Sequence, residues 1–134
     1  MSVYNAAIIK EFRGNDGKVG GDWEGEDLLL LTTTARKTGR EYTTPLGYMR
    51  ENGRLVVIAS KGGAPEHPDW FFNLVTDPRV TVEVGADRYE ATATPLEGTE
   101  RDQFWAEAVA RWPHLAEYQA RAGRVIPLVA LVRR

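Results

Sequence analysis

Asn52-Gly53 lies between Tyr42–Met49 and Leu55–Ala59, and Gly85-Ala86-Asp87 lies between Val80–Val84 and Tyr89–Thr94, so the middle of this chain is written as tight hairpins. Asn-Gly supplies the left-handed backbone that a two-residue hairpin turn needs, and the flanking runs are rich in β-branched and apolar residues. Hairpins join antiparallel neighbours, which rules against a parallel nucleotide-binding sheet. Leu28–Thr33 before them and Ile126–Val132 after them bring the expected strands to six. Closing six short strands into a small antiparallel barrel removes the exposed edges that an open sheet would leave. The fold class expected is therefore mainly β with peripheral helices.

The helices are expected at the margins. Val3, Tyr4, Ala7, Ile8 and Phe12 repeat at helical spacing before Gly14 and Asn15-Asp16-Gly17 stop the pattern. This amphipathic stretch, residues 1–13, could pack on the protein's own core or touch a membrane surface or partner. Asp69–Leu74 reads as a short helix ended by Asp77-Pro78, and Thr99–Arg111 as a longer one opened by the box Thr99-Glu100-Arg101-Asp102. His114–Ala122 continues it beyond a break at Pro113. The chain of 134 residues reads as a single domain: helix 1–13, loop 14–27, and a barrel over 28–134 carrying helices near 69–75 and 99–122.

Several chemistries are excluded by what the chain contains. There is no cysteine, hence no disulfide, thiolate nucleophile or thiolate metal site. His67 and His114 stand 47 residues apart outside any metal-ligand spacing, and no metal is expected. Ser2 and Ser60 lack the Gly-x-Ser-x-Gly surroundings of a hydrolytic elbow. The pairs Glu24/Glu26 and Glu97/Glu100 fall in turns or at a helix start, where solvated carboxylates are ordinary. The longest apolar run, Leu28–Leu31, is far below the roughly 20 residues of a membrane span, and no signal peptide is read at the start. A cytoplasmic protein is expected, with membrane association left to residues 1–13.

Positive chemistry concentrates in two loops. Thr32-Thr33-Thr34-Ala35-Arg36-Lys37-Thr38-Gly39-Arg40 and Ala59-Ser60-Lys61-Gly62-Gly63 combine hydroxyls, glycines and cations. Between residues 36 and 61 stand six basic side chains and two acidic ones, a balance of +4 in a chain of net charge -2, so the remainder sums to -6. Hydroxyls and loop amides donate to phosphate oxygens while Arg and Lys neutralise them. The confinement of positive charge to one segment suits a discrete anion site better than a nucleic-acid surface, and no nucleic-acid partner is expected. The same residues also suit solvated turns. Neither Gly-x-Gly-x-x-Gly nor a Walker-type loop occurs, so the cradle is of another kind.

The segments Leu28–Gly39, Thr43-Thr44-Pro45-Leu46, Ala59–Leu74 and Asp77–Gly85, together with Glu11–Gly21, resemble the deazaflavin-dependent nitroreductase family over essentially the whole chain. The resemblance implies a split β-barrel of the FMN-binding split-barrel-like superfamily that binds reduced coenzyme F420, an 8-hydroxy-5-deazaflavin. It further implies that Arg36, Lys37 and Lys61 neutralise the coenzyme's phosphate, with Arg40 in reach of it. Thr33, Thr34 and Ser60 would hydrogen-bond that phosphate, and Gly62 and Gly63 would admit it to the backbone. Trp70 would border the ring; from spacing alone it is equally a core tryptophan.

The chain departs from the family pattern at Tyr42, where a second arginine is common, and at Trp112, Leu115 and Tyr118, where the nitroimidazole-activating member presents tyrosines. The implied activity is hydride transfer to a small-molecule acceptor that is planar and electron-poor: a quinone, nitroaromatic or activated alkene. Tyr118 is the candidate to orient or protonate the acceptor, against a packing role. The alternatives are an FMN-dependent oxidoreductase of the same barrel and a carrier that binds F420 without turnover. Oligomeric state is left open.

Overall fold

The computed structural model describes residues 3–21, 27–51 and 53–134, and for residues 3, 4 and 51 the backbone alone. Asn52 and the Glu24/Glu26 pair therefore lie outside the described residues. The elements follow in the order α1 (Val3–Gly14), β1 (Leu28–Thr34), β2 (Glu41–Glu51), β3 (Arg54–Ile58), α2 (Asp69–Thr76), β4 (Arg79–Val84), β5 (Asp87–Pro95), α3 (Gly98–Arg111), α4 (His114–Ala122) and β6 (Leu128–Arg133). The six strands close into an antiparallel barrel in the order β1-β2-β3-β6-β5-β4.

Two local features show how the residues shape the sheet. Pro45 sits mid-strand opposite Leu30, yet β3 pairs β2 only from Tyr48 to Glu51, so the missing Pro45 N–H falls on a stretch without a β3 partner. The last strand begins at Leu128 rather than the expected Ile126, because Pro127 offers no N–H to the ladder and only its carbonyl is used, by Ala59 N.

The barrel interior holds Leu29, Leu31, Leu55, Val57, Val82 and Leu131, and one end is stopped by Trp70 and Leu74 of α2. Outside, α3 and α4 cover β3 and β6 through Phe104, Ala108 and Leu115 against Val56, Leu128 and Ala130. On another flank Ile8, Ile9 and Phe12 of α1 bury against Leu28 and Leu30. Leu28–Leu31 is thus apolar without alternation because both faces of β1 are covered. Ile8, Ile9 and Phe12 of α1 are taken up by the protein's own sheet, whereas Ala7 of the expected stripe is exposed, and a bidentate pair from Arg13 to Glu83 on β4, at 3.0 and 2.9 Å, fastens the helix end. Among the described residues no helix is long and apolar enough to cross a membrane.

Candidate functional site

The alternation of β1 decides which threonines can serve the site. Thr33 continues the inward row of Leu29 and Leu31 to the barrel mouth and lines a cavity of about 450 Å³. Thr34 points to the opposite face, beside Glu41, Asp77 and Arg79. Of the two threonines expected to act together, the structure brings only Thr33 to the cavity.

The cavity is bounded by the β1–β2 loop and by α2. Arg36 and Lys37 line it from the loop, Trp70 and Asn73 from the helix, and Tyr42, Thr43 and Thr44 from β2. The loop is closed by Ala35 N to Arg40 O at 2.7 Å and Gly39 N to Ala35 O at 2.9 Å. Asn73, which sequence reasoning passed over, fixes its approach to the helix. Its Oδ1 accepts from the Arg36 backbone N–H at 3.2 Å and from Arg36 Nη1 at 3.0 Å, while its Nδ2 donates to Thr33 Oγ1 at 3.5 Å. Asn73 stands three residues after Trp70 on the same buried face of α2, so a polar residue at i+3 from an inward aromatic was the available signal. Trp70 belongs to the interior cluster and also lines the cavity. Arg40 is exposed on the loop and does not line the cavity.

Ser60, Lys61, Gly62 and Gly63 form a second feature, outside that cavity's lining. Ser60 is right-handed (φ -79°, ψ -34°), and Lys61, Gly62 and Gly63 follow at φ 47°, 62° and 84°. A right-handed residue followed by a left-handed one turns successive N–H groups to one side, the form of an anion-binding nest. Gly62 opens to free space, whereas a Cβ on Gly63 would stand 3.1 Å from Tyr118 Cα. Lys61 Nζ is held by Glu66 Oε1 at 3.0 Å, an exposed pair whose carboxyl is lowered by its bond to the ammonium.

Tyr118 does not line the cavity. Its backbone and Cβ support Gly63, and its ring lies edge-on to His114 at 5.0 Å with Arg121 over its face at 5.6 Å.

The two loops are joined through the aromatic flank of α2. Arg36 stacks over Phe72 at 5.1 Å, and Phe72 meets His67 at 5.5 Å. His67 Nδ1 in turn accepts from Arg124 Nη1 at 2.9 Å. Arg124, also missed in the sequence, sits some sixty positions from the loop it binds, and no local pattern announces it. Burial, and then the neighbouring guanidinium, hold the His67 imidazole below its ordinary value. Among the described residues no cluster could hold a metal ion.

A family model described as F420H(2)-dependent quinone reductase matches residues 6–133. An F420H(2)-dependent quinone reductase of Mycobacterium tuberculosis is 37% identical over 127 residues, covering 92% of this chain and 85% of that protein. A solved F420-H2 dependent reductase is 42% identical, with a TM-score of 0.71 over 78% of this chain and 93% of that one. A solved domain-swapped dimer is 38% identical, with a TM-score of 0.74 over 96% and 94% of the two chains. The match is to the quinone reductase model, a narrower label than the nitroreductase family of the resemblance.

Proposed function

The chain belongs to the F420H(2)-dependent quinone reductase family, and on that premise we propose that it reduces a quinone with coenzyme F420 at the cavity between the β1–β2 loop and α2. Nitroaromatics and activated alkenes share the planar, electron-poor character of a quinone and are secondary candidates.

The observation that carries the reading is the pairing of two anion-fitting loops on one aromatic flank, Arg36 on Phe72 and His67 beneath it. The donors fit an acidic, phosphate-bearing coenzyme. Arg36, Lys37 and Lys61 supply charge, with Arg40 at the loop edge; Thr33 and Ser60 supply hydroxyls; Gly62 supplies a backbone amide at positive φ, while the Gly63 N–H is taken by Ser60 O and Gly63 serves by its missing Cβ, which lets the loop pass against Tyr118. Thr34, on the far face of β1, has no part in this set.

When bound, the reduced deazaflavin supplies the hydride. The protein's residues supply orientation and dryness. Trp70 presents a rigid apolar wall to the cavity, which would border the flat rings and keep water from that side. Arg36, tied to Asn73, and Lys37 hold positive charge at the cavity wall, where it neutralises the coenzyme's phosphate and so fixes the coenzyme's position. Tyr42 and Thr44, opposite Thr33 and Leu31 in register, border the same space and carry the hydroxyls that would relay a proton, whereas Thr43 Oγ1 is paired with Thr32 Oγ1 at 2.8 Å. Tyr118, beneath Gly63, acts in this reading as support for the second loop and not on the acceptor.

Fluorescence titration with F420 and with FMN tests the assignment. The expected result is saturable F420 binding, weakened by about 1 to 3 kcal/mol in Lys37→Ala through loss of a charge-assisted contact. Tight FMN binding without F420 binding would sink it.

A further inference from the structure

Arg124 is the most heavily engaged cation of the described chain, and the reaction as proposed makes no use of it. Gly123, left-handed at φ 66°, ends α4 and turns the backbone so that the next side chain runs back under the 59–67 segment. There Arg124 Nη1 donates to Ala59 O at 3.3 Å, Nη2 to Ser60 O at 3.0 Å and Nε to Ala64 O at 3.1 Å. Three carbonyls flanking the nest are thereby drawn to one cation. A guanidinium can only donate, so His67 Nδ1 at 2.9 Å must be the acceptor and carry no proton.

The loop needs such a fastening. Lys61 holds φ 47° without being glycine, a conformation that costs energy unless its surroundings over-determine it. Its own side chain points to exposed Glu66, and its helical turn is a single one, closed by Gly63 N to Ser60 O and Ala64 N to Lys61 O. Arg124 is the group that ties both ends of that turn to the body of the protein.

We propose that Arg124 is the positioning residue for the Ser60–Gly63 coenzyme loop, and that it holds the loop fully only while His67 is neutral. The inference rests on the proposed coenzyme role of that loop. Protonation of His67 would put an N–H against a guanidinium N–H, two donors and two positive charges face to face. The groups facing His67 are Arg124 from the α4–β6 link and the rings of Phe71 and Phe72 from α2, at 4.8 and 5.5 Å. From its own segment, Glu66 acts on Arg124 and is paired with Lys61. His67 is held low by burial and by Arg124, which agrees with a neutral ring near pH 7.

The test compares full-length wild type, Arg124→Lys and His67→Gln. Hydrogen exchange at the Gly63 and Ala64 amides is measured without coenzyme, and F420 affinity is measured from pH 7.5 to 5.5. Lysine keeps the charge but cannot span three carbonyls, so both amides should exchange about tenfold faster and F420 should bind about tenfold more weakly. Wild-type affinity should fall on acidification about fivefold or more beyond the fall in His67→Gln, whose amide oxygen accepts at every pH and whose profile carries only the coenzyme's own titration. Unchanged exchange and affinity in Arg124→Lys would overturn the inference, as would identical pH profiles for wild type and His67→Gln. Faster exchange in Arg124→Lys with no F420 binding by wild type would uphold the fastening and sink the functional reading instead.

Discussion

Asn73 shows how much of the site depends on a single buried amide. At 5% exposure it satisfies the Arg36 backbone and side chain with one oxygen and touches Thr33 with its nitrogen. Asn73→Ala leaves those donors unpaired and frees Arg36 to leave its stack on Phe72. The expected outcome is a stability loss of about 1 to 2 kcal/mol, read by urea denaturation, together with weaker F420 binding. At this scale the sequence was partly readable. Arg36, Lys37, Thr33 and Trp70 meet at one cavity because loop and helix each carry a compact motif. Asn73 and Arg124 were not readable, since each acts through contacts with residues 37 to 65 positions away. Thr34 was grouped with Thr33, and their opposite facing was not readable because a run of threonines hides the two-residue period that sends neighbours to opposite faces.

Among the elements, strands and helices followed the hairpin and helical-spacing signals, whereas the box expected at Thr99-Glu100-Arg101-Asp102 does not form: α3 begins at Gly98 with Glu97 at its N-cap and no side-chain cap hydrogen bond, and elsewhere the deviations have local causes such as the missing N–H of Pro127. The role of α1 could not be told from its stripe, since an apolar face fits a sheet or a membrane equally well. In the structure Ile8, Ile9 and Phe12 pack on Leu28 and Leu30, and Arg13 pairs with Glu83. Glu83 is buried to 9% exposure on β4, whereas Arg13 is half exposed, so removing the arginine strands a carboxylate that water reaches poorly. Arg13→Ala should therefore cost about 1 kcal/mol, less than a fully buried pair would. Thermal or urea unfolding measures it, and a double mutant with Glu83→Gln should recover part of the loss because the orphaned charge is gone.

For the whole molecule, the pH dependence of folding carries the mark of His67. Its folded value lies below the ordinary 6.5, so between the two values the unfolded chain binds the extra proton. Stability from this group is complete above pH 6.5 and declines as the pH falls below it. Urea midpoints across pH 5 to 8 should show that decline, and His67→Gln should remove it. The hairpin-rich pattern led to a closed barrel without any knowledge of the site, while the choice among quinone, nitroaromatic and alkene was not legible, because in the proposed reading both loops address the coenzyme and only cavity walls such as Trp70 address what it reduces. The central claim is therefore tested most directly by single-turnover stopped flow, following F420H2 bound to the protein as menadione is added. The account predicts oxidation whose rate rises with quinone concentration and falls when the anchoring of Arg36 is lost in Asn73→Ala. A bound coenzyme whose oxidation is no faster with quinone than without it would mark the protein as a carrier and contradict the account.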